Sequence, residues 1–245
     1  MLSAFRNVSI SRMVGGVAAA LLSLSFMTSG SAAQSGASLF ELDFSGTPGL
    51  STYDWLKQKG FELKQDATDK DKILLSQPDG ALRLDVKEQA FGLIIQEKDL
   101  PGANSLRLHW GVSEYPDGAS YQRGIDNEAI MFYVFFGHKK QPSGSMFIPD
   151  SPYFLGFFLC QDSSDTLEKP YVGHHFKKSG RYICVEHPGA GKTSVTELDL
   201  VKEFRNSFDL DHVPAVSGIS IEVDTSDSKN DGKASAFLQR VEFLK

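Results

Sequence analysis

Cysteine is scarce in this chain. Two residues among 245 are too few for a disulfide framework or for a structural zinc site built on thiolates. Tryptophan is equally rare, also at two. Basic residues are outnumbered, 25 Lys and Arg against 31 Asp and Glu, which leaves a net charge of −6. That balance argues against the basic face a nucleic-acid binder needs. No stretch beyond residue 33 approaches the roughly 20 apolar residues of a membrane-spanning helix. Phenylalanine, by contrast, is abundant, with 18 residues. A hydrophobic share of 41% and a charged share of 23% are those of a globular chain. A disordered chain, a collagen and a coiled coil are therefore set aside.

Residues 1–33 hold no acid and only two charges, Arg6 and Arg12. An apolar run from Val14 to Met27 follows, and Ser31-Ala32-Ala33 places small residues at a cleavage site. These are the three parts of a secretory signal peptide; a buried N-terminal helix is the competing reading. The expectation is a signal peptide over 1–33 and a single domain over 34–245, in the periplasm or secreted. Cleavage would leave 23 basic against 31 acidic residues, a charge of −8. Such a chain is repelled by nucleic acid and by anionic lipid, and no membrane span is expected after cleavage.

Strand signals recur along the rest, separated by turns. ASLFELDF precedes the turn SGTPG. ALRLDVKE and FGLIIQEK flank only Gln89-Ala90, which predicts a tight hairpin. SLRLHWGV, EAIMFYVFFG, PYFLGFFLC, RYICVEH, SGISIEVD and ASAFLQRVEFL complete the set. Apolar residues at Leu198, Val201, Phe204 and Phe208 have helical spacing, and Ser194 with Glu197 predicts a capping box before them. The fold class expected is all-β: a jelly-roll-like β-sandwich of about nine or ten strands with one short helix near 198–208.

The strands differ in kind. SLRLHWGV alternates, with Leu106, Leu108, Trp110 and Val112 facing inward and Arg107 and His109 outward. EAIMFYVFF and PYFLGFFLC are apolar on both faces and must be covered twice, by the helix, by loops or by a ligand. If they share a sheet with SLRLHWGV, then Arg107, His109, Asp126, Glu128 and Tyr133 converge on one ligand-binding surface. The alternative is a solvated sheet with scattered ion pairs.

Several motifs carry competing meanings. Gly189-Ala190-Gly191-Lys192-Thr193 resembles a phosphate loop, but Glu186 stands where that pattern needs glycine, so a surface turn is expected and no nucleotide. DTSDSKNDG resembles an EF-hand loop, but Lys229 falls at a ligand position. A looser calcium site on Asp224 and Asp227 is the remaining metal expectation, against a solvated hairpin tip. ELDLVKE (197–203) approaches a glucanase motif, yet Val201 or Lys202 stands where the acid belongs, so no catalytic residue is assigned. His174-His175 is a poor chelate, because neighbours on a strand face opposite ways. Cys160 and Cys184 either bridge or sit as buried hydrophobes; both readings stay open.

The order NSLRLHWGVSEYPDG, DNEAIMFYVFFG, YFLGFFL, RYICVEHPG, LDLVKEFRNSF, VSGISIEVDTSDS and FLQRVEFL resembles the bacterial domain-of-unknown-function family 3047 over about 104–244. The chain departs from it at Ile130 and Met131, where an Arg is usual, and it has no Trp ahead of the helix. The ends, LDFSGTPGL with Trp55 and FLQRVEF, resemble jelly-roll carbohydrate-binding modules. Their last strand often carries an Asp for structural calcium; Gln239 holds that place here and is a weaker ligand. The resemblance implies an exported sandwich without an assigned activity. The resulting expectation is a non-catalytic binding module, with glycan as ligand by fold analogy and no cofactor. The rivals are a polysaccharide-acting enzyme and an envelope structural or assembly factor using the Phe-rich sheet.

Overall fold

The computed structural model describes residues 37–44, 50–167 and 169–245. The expected signal segment, 1–33, and the SGTPG turn, 45–49, lie outside them. Thirteen strands and two α-helices are found among the described residues. One sheet holds β1 (Ser38–Asp43), β3 (Ile73–Ser76), β4 (Leu82–Val86), β6 (Ser105–Glu114), β11 (Lys192–Asp199) and β13 (Ala234–Leu244). The other holds β2 (Glu62–Gln65), β5 (Phe91–Leu100), β7 (Glu128–Gln141), β8 (Ser151–Leu159), β9 (Tyr171–Val172), β10 (Gly180–Glu186) and β12 (Val216–Asp224). The chain is an all-β sandwich, as its patterning implies. It has more strands than expected because β2, β3, β9 and β11 are short or carry little apolar alternation.

The first sheet runs β11-β6-β13-β4-β3. β1 shares the free edge of β13, pairing residues 240–244 where β4 pairs 234–238. The second runs β2-β5-β12-β7-β8-β10-β9, antiparallel except for β8 beside β10. Between them lies one apolar core. β6 gives Leu106, Leu108, Trp110 and Val112; β7 gives Ile130, Phe132, Val134 and Phe136; β12 gives Ile219, Ile221 and Val223. Trp110 is fully buried and donates its indole N–H to Thr196 Oγ1 at 2.9 Å, which removes the cost of burying a polar atom.

The predicted hairpin at Gln89-Ala90 is not one. β4 and β5 belong to different sheets, so this segment crosses the sandwich. Its end is held by Thr225, whose N–H donates to Ala90 O at 2.9 Å and whose Oγ1 accepts from Ala90 N at 3.1 Å. The helix expected near 198–208 is α2, Leu200–Phe208. Ser194 and Glu197 do not cap it, because both lie inside β11. The cap is Asp199, whose carboxylate accepts from Lys202 N at 2.9 Å. Phe204 packs on Phe136 at 4.8 Å and Phe208 on Tyr153 at 4.8 Å, so α2 closes one end of the core. A second helix, α1 (Thr52–Gln58), was not expected. Ser51 caps it, and its Trp55 packs against Phe44 at 5.1 Å.

Candidate functional site

The second sheet has a second apolar layer on its outer face, and acids are set into that layer. Met131 and Tyr133 of β7, Phe154 and Phe158 of β8, Cys160 and Cys184 form it. Tyr121, Phe135, Tyr171, Phe176 and Tyr182 pack on them half-buried. The acids arrive by two routes. On β12, Ser220, Glu222 and Asp224 alternate with the inward Ile219, Ile221 and Val223. On β7 a bulge does the work. Asp224 pairs Glu128 and Glu222 pairs Met131, so two β7 residues oppose the single Val223. Ala129 and Ile130 both enter the core, and Glu128 is returned to the outer face.

Glu128 and Glu222 are 2% and 8% exposed. The two acids act on each other: the charge of Glu222 is one of the causes that raise Glu128. Tyr121 donates its hydroxyl to Glu128 Oε2 at 2.6 Å, and Tyr133 donates to Glu222 Oε1 at 2.6 Å. Burial pushes Glu128 well above the usual carboxylate range, and the charge of Glu222 adds to it. Burial also raises Glu222, to about 7, against the lowering effect of its hydrogen bonds to Glu128 and Tyr133. Asp224 is raised by burial as well, while Ser226 lowers it through N–H and Oγ bonds of 2.8 and 2.6 Å. The phenols of Tyr121 and Tyr133 go up with burial and with the acids beside them.

The rings over the acids are closely set. Tyr121 lies 4.4 Å from Phe158, 5.5 Å from Tyr171 and 5.7 Å from Tyr182, centroid to centroid. Tyr133 meets Phe154 edge-on at 5.4 Å. Gly156 makes room for this: a Cβ there would run into Met131 Sδ and would stand 2.8 Å from Tyr133 Cε1. The turn carrying Tyr121 is tied down by Asp165, whose Oδ1 accepts from Gln122 N at 2.8 Å and Ser120 Oγ at 3.2 Å. Cys160 and Cys184 form a disulfide joining the end of β8 to β10, with Cα atoms 5.7 Å apart.

The structure divides the five residues expected to converge. Glu128 and Tyr133 meet on the outer face of the second sheet. Arg107 and His109 lie on β6, in the first sheet, on the far side of the core. The expected convergence is therefore corrected: Phe-rich β7 and alternating β6 face each other across the sandwich. Arg107 donates to Glu197 Oε1 at 2.7 Å and to Glu242 Oε2 at 3.4 Å, and His109 Nε2 lies 3.9 Å from the same Glu242 oxygen. Asp126 is exposed beside Asn127, which binds Ser228 Oγ and Asp227 N.

Asp224 sits near the acid pair, whereas Asp227 is exposed on the following loop. Among the described residues no third His, Cys, Asp or Glu gathers with them as a metal-binding group. Gln239 lies at a bulge of β13, between the partners of Trp110 and His109. The residues of ELDLVKE separate into a strand end, a helix cap and a helix, so they do not alternate onto one face. Glu222, Tyr121 and Tyr182 were not singled out from sequence. The readable signal for Glu222 was the polar row Ser220, Glu222, Asp224 inside an otherwise apolar strand.

A groove of about 600 Å³ lies elsewhere, beside β2 at the opposite edge of the sheet from β9. Tyr53, Lys57, Phe61, Glu62 and Lys70 line it.

No protein-family model matches this sequence, and no curated protein does. Solved structures similar in fold include a mutant of the Emp46p carbohydrate recognition domain, with a TM-score of 0.45 and 10% identity over 85% of this chain and 97% of that one. The Emp47p carbohydrate recognition domain gives 0.42 and 11%, over 88% and 99%. A mutant of the family 29 carbohydrate-binding module CBM29-2 gives 0.34 and 12%, over 84% and 89%. No residue-by-residue correspondence follows at these scores.

Proposed function

We propose that the protein is an exported, non-catalytic binding module whose ligand is a glycan. One observation carries the reading. Five half-buried aromatic rings, Tyr121, Phe135, Tyr171, Phe176 and Tyr182, lie over one sheet face beside the acid row Glu128, Glu222 and Asp224. Sugars offer an apolar C–H face to rings and hydroxyls to polar groups, so such a face suits them. The acid pair is too buried to be the main contact. It fixes the hydroxyls of Tyr121 and Tyr133, and through them the rings.

Hydrolysis by this pair is disfavoured by its burial. Glycosidase carboxyls flank a cleft that admits the sugar and water, whereas these two are 2% and 8% exposed and are covered by the hydroxyls of Tyr121 and Tyr133. Export is supported by the N-terminal segment and by the disulfide, which persists in oxidising compartments.

A glycan array on the chain begun at Gln34 is the first test, followed by titration of any hit against Tyr182→Ala and Tyr171→Ala. Loss of a ring that stacks on a sugar is expected to weaken binding about tenfold, the equivalent of ~1.4 kcal/mol. No glycan hit, or a hit unaltered by both substitutions, overturns the reading. Intact-mass measurement from the native host tests export; a full-length product retaining residues 1–33 overturns it.

A further inference from the structure

Large apolar side chains in this protein are mostly covered, and the tip of one hairpin is the exception. Met146 and Phe147 are 94% and 91% exposed, while no other large hydrophobic residue among those described passes 55%. They stand in the loop 142–150 between β7 and β8, beyond the pairing of Gln141 with Ser151. The loop is held by its own bonds. Ser143 Oγ donates to Ile148 O at 2.6 Å, Ser143 N donates to Asp150 Oδ1 at 3.0 Å, and Phe147 N donates to Ser145 Oγ at 3.1 Å. These contacts close the base of the loop and leave its apolar tip in water, an unfavourable place unless something covers it.

Lysines flank the base. Lys139 and Lys140 lie at the end of β7 and are exposed. Lys177 and Lys178, also exposed, precede Gly180, which pairs Phe154 near the start of β8, so they come to the same end of the sheet. None of the four is in an ion pair among the described residues. The acids that reach this end have contacts of their own. Asp99 faces His138 Nε2 at 3.0 Å, Asp150 accepts from Ser143 N, and the loop of Asp209 and Asp211 is bonded to Arg205. The acid row of Glu128, Glu222 and Asp224 lies toward the other end of β7. A strand rises about 3.3 Å per residue, so Lys140 is about 40 Å from Glu128. That is several times the roughly 8 Å over which salt screens a charge. The chain's net negative charge therefore weighs little here, and a surface at this end meets the lysines.

We propose that the β7–β8 hairpin docks on an anionic phospholipid bilayer, with Met146 and Phe147 entering the interfacial layer and Lys139, Lys140, Lys177 and Lys178 meeting its phosphates. Binding of this kind adds apolar burial to attraction between basic side chains and anionic headgroups, and the hairpin offers both within one end of the sheet. The shape of the tip favours lipid over a protein partner. A stable protein interface needs about 1,000 Å² or more of complementary surface, whereas a narrow loop presents two side chains that a fluid bilayer can take in without a matching pocket. The long stems of the lysines let their ammonium groups reach phosphate while the tip goes deeper. The contact is peripheral: two side chains enter and no segment crosses. In this orientation β7 carries the acid row away from the bilayer.

The test uses the chain begun at Gln34, so that the apolar run from Val14 to Met27 cannot contribute. The probes are vesicles of phosphatidylcholine, alone or with about 30% phosphatidylglycerol. Co-sedimentation is expected with the mixed vesicles at about 0.05 M salt, and binding at least about fivefold weaker at about 0.5 M salt or without phosphatidylglycerol. Met146→Ser/Phe147→Ser should weaken it at least about tenfold, since both side chains lose their apolar burial. Lys139→Gln/Lys140→Gln should weaken it about tenfold as well, through the lost headgroup attraction. The emission of a Phe147→Trp variant should shift to the blue on the mixed vesicles. No binding to those vesicles overturns the proposal, and so does unaltered binding by the serine double variant. Equal binding to both vesicle types overturns the role of the lysines and with it the proposal. If the lipid-free chain sediments as a dimer that the serine double variant lacks, the tip covers a second copy instead, and the proposal falls.

Discussion

Glu242 and Glu222 are equally buried, each 8% exposed, on interior strands of opposite sheets. Their surroundings differ completely. Glu242 faces Arg240 at 3.3 Å, Arg107 at 3.4 Å and His109 at 3.9 Å. Glu222 faces a tyrosine hydroxyl and another carboxyl. The first acid is compensated by the guanidinium groups of Arg240 and Arg107. The second has one phenol donor, Tyr133, and another acid beside it, and burial raises it. Burial alone therefore does not decide how a carboxylate is compensated; the neighbours that the topology delivers do. One face is a charged sheet in contact with water, and the other is a proton-holding layer roofed by rings.

The largest effect that sharpens this contrast is a pH dependence. Glu222 is raised in the folded chain from 4.5 to about 7, and Glu128 is raised as well. Between the unfolded and folded values the folded chain binds more protons, so stability falls as pH rises. The contribution is fully present below about pH 4.5 and is lost through about pH 7. A shift of that size corresponds to ~3 kcal/mol. Glu222→Gln keeps the shape and the hydrogen-bonding capacity but cannot ionise. Urea melts at pH 4.5 and 7 should therefore differ less for this variant than for the wild type. Identical pH dependence in both would show that Glu222 is not the group that titrates.

Two smaller substitutions break the same layer without touching its charge. Gly156→Ala places a methyl group against Met131 and Tyr133 and should cost about 2 kcal/mol through forced repacking. Tyr133→Phe removes the donor to Glu222 Oε1 and should cost about 1–2 kcal/mol, more at pH 7 than at pH 4.5 because the ionised acid needs that donor most. Denaturant midpoints measure both. A neutral Gly156→Ala would mean that the ring of Tyr133 is not seated where the structure places it.

Much of the sandwich was legible. Leu106, Leu108, Trp110 and Val112 alternate because β6 has one dry face, and the two-faced apolarity of β7 and β8 announced a second cover. Period-2 patterning carries that information locally. The acid pair was not legible, because Tyr133 and Glu222 are 89 residues apart and meet only through strand order. Glu128 is also displaced from its naive face by a bulge that no local pattern marks. The hairpin reading at Gln89-Ala90 failed for a related reason. Two good strands with a short gap look alike whether the chain turns back or crosses to the other sheet. α1 was missed because seven residues with Tyr53, Trp55 and Leu56 give too little helical period. Placing Arg107 with Tyr133 assumed a shared sheet, and chain neighbours β6 and β7 instead lie in opposite ones.

The smallest expected effect lies on the charged face and completes the comparison. Arg107 Nε donates to Glu197 Oε1 at 2.7 Å, a short ion pair, but the Glu197 side chain is 60% exposed. Exposed pairs gain little, because water and salt screen them and two side chains must be held still. Arg107 also keeps Glu242 at 3.4 Å when Glu197 is removed, so no buried charge is stranded. Glu197→Ala should therefore cost under about 1 kcal/mol, and less at 1 M salt than at 0.05 M. It should leave the difference between pH 4.5 and pH 7 unchanged, since Glu197 lies across the core from Glu222. Urea melts at both salt concentrations and both pH values give all four numbers. A loss above about 2 kcal/mol, or an altered pH response, would mean that the two faces are coupled through the core. The division into a charged face and a proton-holding face would then have to be abandoned.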